Sequence, residues 1–295
     1  MHLEPFTYER PTSLREFEAV LARRAGEANI LAGGTDLLVL VKEKVLSPKA
    51  LIDIGSLAEL QGISRDPSGG LTILAGTKVA TIEADPLVKE FAPALAFAAA
   101  QLGSVQVRMM ATMAGNVCHA SPSAETPPVL LAHGAEVTLA KEGGERRLPL
   151  SEFFLSYRKT ALQPGEYLKA FHLPALPPRA AVAYRFRGLR NAMEIDMVNV
   201  GLYLELDAAG TTAKGVRIAL GAVGPIPYRA LEAEKALAGK PVGDDFAAEA
   251  ATLAMAEAKP IDDVRASADY RRKMIGVMLK RAIGDCLARL SAARG

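Results

Sequence analysis

RMMATMAGNVCHASPSAETPP, residues 108–128, is rich in small and hydroxyl side chains, sets Asn116 behind Gly115, and ends in Pro127-Pro128. Neither a 3.6-residue nor a two-residue apolar period runs through it, so no regular helix or strand covers the whole stretch. It reads as a long loop that exposes backbone N–H groups and short polar side chains. Ala114 and Gly115 let another group approach the backbone closely. Thr112 and Asn116 add side-chain hydrogen bonds, and Glu125 is an acceptor suited to ribose hydroxyls. A Pro-terminated surface loop without any ligand accounts for the same residues.

A second stretch upstream has related chemistry. In NILAGG, residues 29–34, a short apolar strand ends in two glycines, and TDLLVLVKEK, residues 35–44, continues as a helix opened by Thr35 or Asp36. Strand, glycines and helix start form a context in which backbone N–H groups can meet an anion. A tight turn with Thr35 or Asp36 as a plain helix cap is the alternative. Neither G-x-G-x-x-G nor G-x-x-x-x-G-K-S/T occurs, so a Rossmann or P-loop reading has no motif behind it. Two such loops, one on each of two subdomains, could clamp a diphosphate between them.

Around these loops the pattern is mixed helix and strand. Ser13 and Glu16 have capping-box spacing ahead of an apolar stripe of Leu14, Phe17, Val20 and Leu21, with Gly26 where a C-cap belongs. LTILAG and EYLKAFHLP read as strands, AEVTLAKEGGERRLPL as a hairpin turning at Gly143-Gly144, and PLVKEFAPALAFAAAQLG as a helix interrupted at Pro93. PALPPRA, residues 174–180, is a boundary signal. After it come three strand-like runs, AVAYRFRG, MVNVGLYLEL and GVRIALGAV, the second and third joined through DAAG at 207–210. In the last helical pattern Ile275, Leu279, Ala282, Ile283, Cys286 and Leu290 share a face.

Composition narrows the function. A chain of 295 residues, half of them apolar and 23% charged, is globular and long enough for two or three packed subdomains. A net charge of +2 gives no electrostatic case for nucleic acid or a membrane surface. No apolar run approaches the roughly 20 residues of a membrane span, and the N-terminus lacks the pattern of a secretory signal. With two cysteines, Cys118 and Cys286, and no metal-like spacing among four histidines, the chain cannot by itself hold an iron–sulfur cluster on four thiolates. The low cysteine count fits a reducing cytoplasm. Cys118 beside His119 is a neighbour pair in sequence, not a catalytic dyad, and Cys118 reads as a small packing residue. His133 reads as structural. No catalytic triad and no metal site is legible.

ILAGGTDLL, ATMAGNVCHASPSAETPPVLLAHGAEV and IDMVNVGL, in this order and spacing, resemble the FAD-binding medium subunit of molybdenum hydroxylases. That family includes the xanthine dehydrogenase flavin domain and the carbon monoxide dehydrogenase medium subunit. RIALGAVGPIPYRALEAEKAL is similar to the family's C-terminal domain. The resemblance implies an α+β chain: a two-subdomain FAD-binding fold of the PCMH/VAO-like type, then a C-terminal domain built on a three-stranded antiparallel sheet packed with helices. Its implied divisions are 1–57, 58–176 and 177–295.

The resemblance also implies a site. Ile30, Leu31, Ala32, Gly33, Gly34, Thr35, Asp36 and Leu37 would line the first half, with Ile30 and Leu31 near the adenine. Gly33, Gly34 and Thr35 would meet phosphate, and the Asp36 carboxylate would cap the helix or face away. Thr112, Ala114, Gly115 and Asn116 match the second phosphate loop. His119 stands where the family often has a hydroxyl, Glu125 at an acidic position that contacts ribose or adenine, and Leu102 against the flavin ring. Asp196 and Met197 match a segment beside the isoalloxazine, and Arg187 or Arg190 could place positive charge near it. The sequence departs from the family's T-x-G-G-N pattern, with Ala114 for the first glycine.

The implied activity is that of an electron-transfer flavoprotein subunit of an oxidoreductase. A large partner with a molybdenum cofactor would oxidise an organic substrate. A small partner with two 2Fe–2S clusters would pass electrons to FAD, and FAD to NAD, oxygen, a quinone or a carrier protein. The alternatives are a self-contained FAD oxidoreductase and a non-catalytic nucleotide-binding scaffold.

Overall fold

A computed structural model of the chain describes residues 3–24, 26–190 and 192–292; the outermost two N-terminal and three C-terminal positions of the expected divisions lie outside them. The N-terminal unit is a parallel three-stranded sheet of β1 (Thr7–Glu9), β2 (Ala28–Leu31) and β3 (Ala50–Asp53), in the order β1-β3-β2. Helix α1 (Leu14–Arg23) covers it with the stripe expected from the sequence: Phe17, Val20 and Leu21 are buried. Ser13 Oγ accepts from Glu16 N, but the Glu16 carboxylate turns to the N–H and hydroxyl of Thr12 rather than closing the box. Helix α2 (Leu37–Lys42) follows the glycine loop.

The central unit is an antiparallel sheet of β4 (Ile63–Arg65), β5 (Leu71–Leu74), β6 (Glu136–Lys141) and β7 (Gly144–Pro149) around a later strand; β8 (Phe154–Ser156) and β9 (Lys159–Thr160) form a small hairpin beside it. That later strand, β10 (Tyr167–Leu173), inserts between β5 and β6 and completes the order β4-β5-β10-β6-β7. Six short helices lie between β5 and β6: α3 (Val79–Ala84), α4 (Pro86–Phe91), α5 (Pro93–Gln101), α6 (Val105–Met110), α7 (Met113–Cys118) and α8 (Thr126–His133). The break at Pro93 is where the ring forbids a continuous helix.

The 108–128 stretch is not the long loop its composition predicts. Ser104 and Thr112 cap α6 and α7 by accepting from Val107 N and Gly115 N, each cap worth about 1 kcal/mol. Apart from the Ala111–Thr112 junction between the two helices, only 119–125 is irregular. Short helices with small residues carry too weak an apolar period to be seen in sequence.

The C-terminal sheet runs β11 (Ala180–Arg187), β12 (Val198–Leu206), β13 (Ala213–Gly221), with a two-residue β14 (Tyr228–Arg229) added at the edge of the three expected strands. Helices α9 (Leu231–Leu237), α10 (Asp244–Glu257) and α11 (Ala268–Ala292) cover one face, and all six residues expected on the last helix's apolar side are buried. The other face meets the central unit: Val182, Tyr184, Tyr203 and Ala219 join its core. There α8 packs so tightly on β12 that a Cβ at Gly201 would lie 2.1 Å from the Pro128 carbonyl.

Candidate functional site

The two loops, about 80 residues apart in sequence, are in direct contact. A Cβ on Gly33 would stand 2.3 Å from the Met110 carbonyl oxygen and 2.8 Å from Ala111 Cα. Only glycine lets the first loop reach the backbone that leads into Thr112. Gly34 has φ +71°, a left-handed turn that a side chain disfavours. The first loop thus leaves the C-terminal end of β2, the edge where open parallel sheets receive ligands, and lies against the entry to α7.

Both loops hold free donors. Among the described residues, the N–H groups of Gly33, Gly34 and Thr35, and of Met113 and Ala114, donate to no protein acceptor. Backbone N–H groups without a protein acceptor are donors of the kind a diphosphate takes. Ala114 fits: it lies inside α7 and is not among the residues with positive φ, so its methyl group costs no backbone strain. Asp36 is exposed and makes no side-chain cap, so of its two expected roles the helix cap is not made.

Glu125 and Asn116 are linked. Asn116 Oδ1 accepts from Thr126 Oγ1 at 2.7 Å, and its Nδ2 faces Glu125 Oε2 at 3.5 Å. One amide hydrogen remains for a ligand. Glu125 is buried, and burial pushes its carboxyl up to about 8, helped by the charges of Asp196 and Asp36 and opposed by Asn116. Asp196 is also buried, and burial raises it to about 6 against the pull of its donors Asn199 and Tyr184. Asn199 ties the two carboxylates' surroundings together, donating to Asp196 Oδ2 at 2.9 Å and to the Ala124 carbonyl at 3.2 Å.

The remaining expected residues are placed unevenly. Ile30, Leu31, Ala32 and Leu37 line the half-buried first loop, and His119 is the half-buried C-cap of α7. Leu102 is buried, and its carbonyl accepts from Arg108. Arg187 is exposed at the end of β11; Arg190, also exposed, donates to the Met193 carbonyl within its own loop. Met197 is buried, its N–H bound to the Arg187 carbonyl; the segment shows Met193 and Ile195 to the surface instead. Lys78 and Tyr184 are at the site without any sequence pattern that singles them out; Asn199 lies in the IDMVNVGL run, where only Asp196 and Met197 are assigned a place. Burial pushes the Cys118 thiol up to about 12, which suppresses the thiolate. His133 donates from Nε2 to the Pro174 carbonyl, 3.0 Å away, and stacks on Phe91. Among the described residues no helix is long and apolar enough to cross a membrane.

Residues 4–176 match the family described as the FAD binding domain in molybdopterin dehydrogenase, and residues 183–286 the CO dehydrogenase flavoprotein C-terminal domain. The chain belongs to this family. It is a FAD-binding medium subunit of the molybdenum hydroxylase type, and its cofactor is FAD. Among its relatives, the carbon monoxide dehydrogenase medium chain of Hydrogenophaga pseudoflava is 32% identical, covering 96% of this chain and 98% of that protein. The xanthine dehydrogenase FAD-binding subunit of Escherichia coli is 29% identical over 96% of each. The glyceraldehyde dehydrogenase medium chain of Sulfolobus acidocaldarius is 31% identical over 97% and 99%. A solved structure of the Hydrogenophaga carbon monoxide dehydrogenase, in a form lacking the Mo-pyranopterin moiety of its molybdenum cofactor, superposes with a TM-score of 0.92 at 32% identity, covering 98% of this chain and 99% of that one. Quinoline 2-oxidoreductase from Pseudomonas putida gives 0.90 at 29% identity, with coverage of 98% and 99%. Like these dehydrogenase subunits, the medium subunit described here is part of an oxidoreductase.

Proposed function

We propose that this medium subunit carries electrons between partner chains and an external acceptor. A large subunit with a molybdenum cofactor oxidises the organic substrate, a small subunit with two 2Fe–2S clusters relays single electrons, and the acceptor is NAD, oxygen, a quinone or a carrier protein. The observation that carries this reading is the packing of Gly33 on the Met110–Ala111 backbone, which sets two groups of unpaired N–H donors side by side. That relatives are named for CO, xanthine and glyceraldehyde dehydrogenases supports a shared scaffold with the substrate chosen elsewhere.

Bound FAD supplies the exchange between one- and two-electron steps; the chain supplies position, charge and access. Gly33, Gly34, Thr35, Met113 and Ala114 bind the diphosphate through backbone N–H groups, and Asn116 through its remaining amide hydrogen. Glu125 keeps its proton at neutral pH and donates to a ribose hydroxyl, while Ile30 and Leu31 face the adenine. Leu102 and the 193–197 segment border the isoalloxazine, and Arg187 lends it positive charge. In this reading 1–57 and 58–176 form the two halves of the FAD cleft, and 177–295 closes the flavin end. The chain works in the cytoplasm.

Affinity purification from the native host tests it. The expected eluate is yellow-brown, holds two further chains, and contains molybdenum and iron; a complex without an iron–sulfur protein would overturn the arrangement.

A further inference from the structure

Lys78 stands where the two loops meet. Its backbone forms an isolated antiparallel bridge with Thr112, the cap of α7. Its Nζ donates to the Met110 carbonyl at 3.0 Å, the oxygen that excludes any side chain at Gly33. The ammonium is therefore one carbonyl away from each loop.

Its charge is poorly compensated. Lys78 is half-buried, and burial lowers its pKa, with Asp53 acting in the opposite direction. Asp53 is itself held elsewhere: Oδ2 accepts from the Tyr8 hydroxyl and Oδ1 from Gly55 N–H at 2.8 Å. Among the described residues no carboxylate pairs with Lys78 within ion-pair distance. An ammonium has three donors, and a neutral carbonyl takes one. Arg108, the other cation beside the second loop, is not available. Its Nε and Nη2 donate to Glu83 and its Nη1 to the Leu102 carbonyl.

We infer that Lys78 is the side-chain counter-ion of the FAD diphosphate, a phosphate contact added to two cradles that otherwise offer only neutral donors. The inference rests on the FAD reading above. A diphosphate brings negative charge into a partly dehydrated cleft, and a lysine there acts as a point charge whose remaining donors have found no anion.

The test is a titration of the full-length, flavin-stripped chain with FAD and, separately, with riboflavin, which has the ring but no phosphate. Lys78→Met keeps the stem and removes the charge; Lys78→Arg keeps the charge. Lys78→Met is expected to weaken FAD roughly tenfold or more at low salt, the scale of a hydrogen bond to a charged group. Lys78→Arg should retain most of the affinity, and riboflavin should be indifferent to both. Wild-type affinity for FAD, but not for riboflavin, should fall as salt is raised, a readout that needs no variant. Equal FAD affinity in wild type and Lys78→Met, or an equal loss for FAD and riboflavin, would overturn the inference and leave Lys78 as a latch between loops. A wild-type chain that takes up riboflavin and FAD with the same salt-independent affinity would also overturn it. Failure of the wild type to take up FAD at all would instead overturn the FAD reading.

Discussion

The Tyr184 hydroxyl donates to Asp196 Oδ2 at 2.9 Å, with both side chains buried between the central unit and the C-terminal sheet. Asp196 gains more from this donor when ionised than when protonated. Tyr184→Phe should therefore raise the Asp196 pKa above about 6 and cost about 1–3 kcal/mol at pH 8, the penalty for leaving a buried acceptor short of a donor. At pH 5, where Asp196 holds a proton, the cost should shrink. Urea unfolding of the flavin-free chain at both pH values measures it.

Glu125 gives the stability a downward slope toward alkaline pH. Its folded pKa, raised to about 8 chiefly by burial, exceeds the ordinary 4.5. The folded chain then binds a proton that the unfolded chain has lost. Its contribution is fully present below the unfolded value and is lost as pH rises through about 8. Glu125→Gln should flatten the fall in unfolding free energy between pH 5 and pH 9. A fall as steep in the variant as in the wild type would assign it to other groups.

Gly33→Ala drives a methyl group into the Met110 carbonyl. It should part the loops, weaken FAD binding, and cost roughly 1–3 kcal/mol through overpacking. Gly284→Ala is the contrasting case. Gly284 is exposed on α11 with nothing within 4 Å of its added Cβ, so alanine should stabilise the chain by about 0.5–1 kcal/mol. Thermal unfolding and FAD titration of both variants should show opposite signs in stability and an affinity loss in the first alone.

Arg217 fastens α8 to the C-terminal sheet. From β13 its Nε and Nη2 donate to the Ala132 and His133 carbonyls, and its guanidinium lies 3.6 Å from the centroid of the Tyr203 ring. Arg217→Met keeps apolar bulk and removes both donors from the end of the helix. It should cost roughly 1.5–3 kcal/mol in denaturant unfolding. Because Glu125 and Thr126 sit at the other end of that helix, FAD affinity should fall as well.

The sequence by itself determined the local elements and the family. Ser13, Pro93 and the Gly143 turn act within a few residues of themselves, and the last helix's apolar stripe is long enough to be periodic. Family membership was legible because two glycine-bearing loops occur in a fixed order. The tertiary structure alone decided what those loops do together. Gly33 against Met110, Lys78 between them, β10 inserted between β5 and β6, and Asp196 under Tyr184 all join residues distant along the chain. Such pairings follow from burial and close packing, which single-residue preferences do not encode. The same reason hid α6 and α7: a one-and-a-half-turn helix is held by its cap and its neighbours, not by its own periodicity.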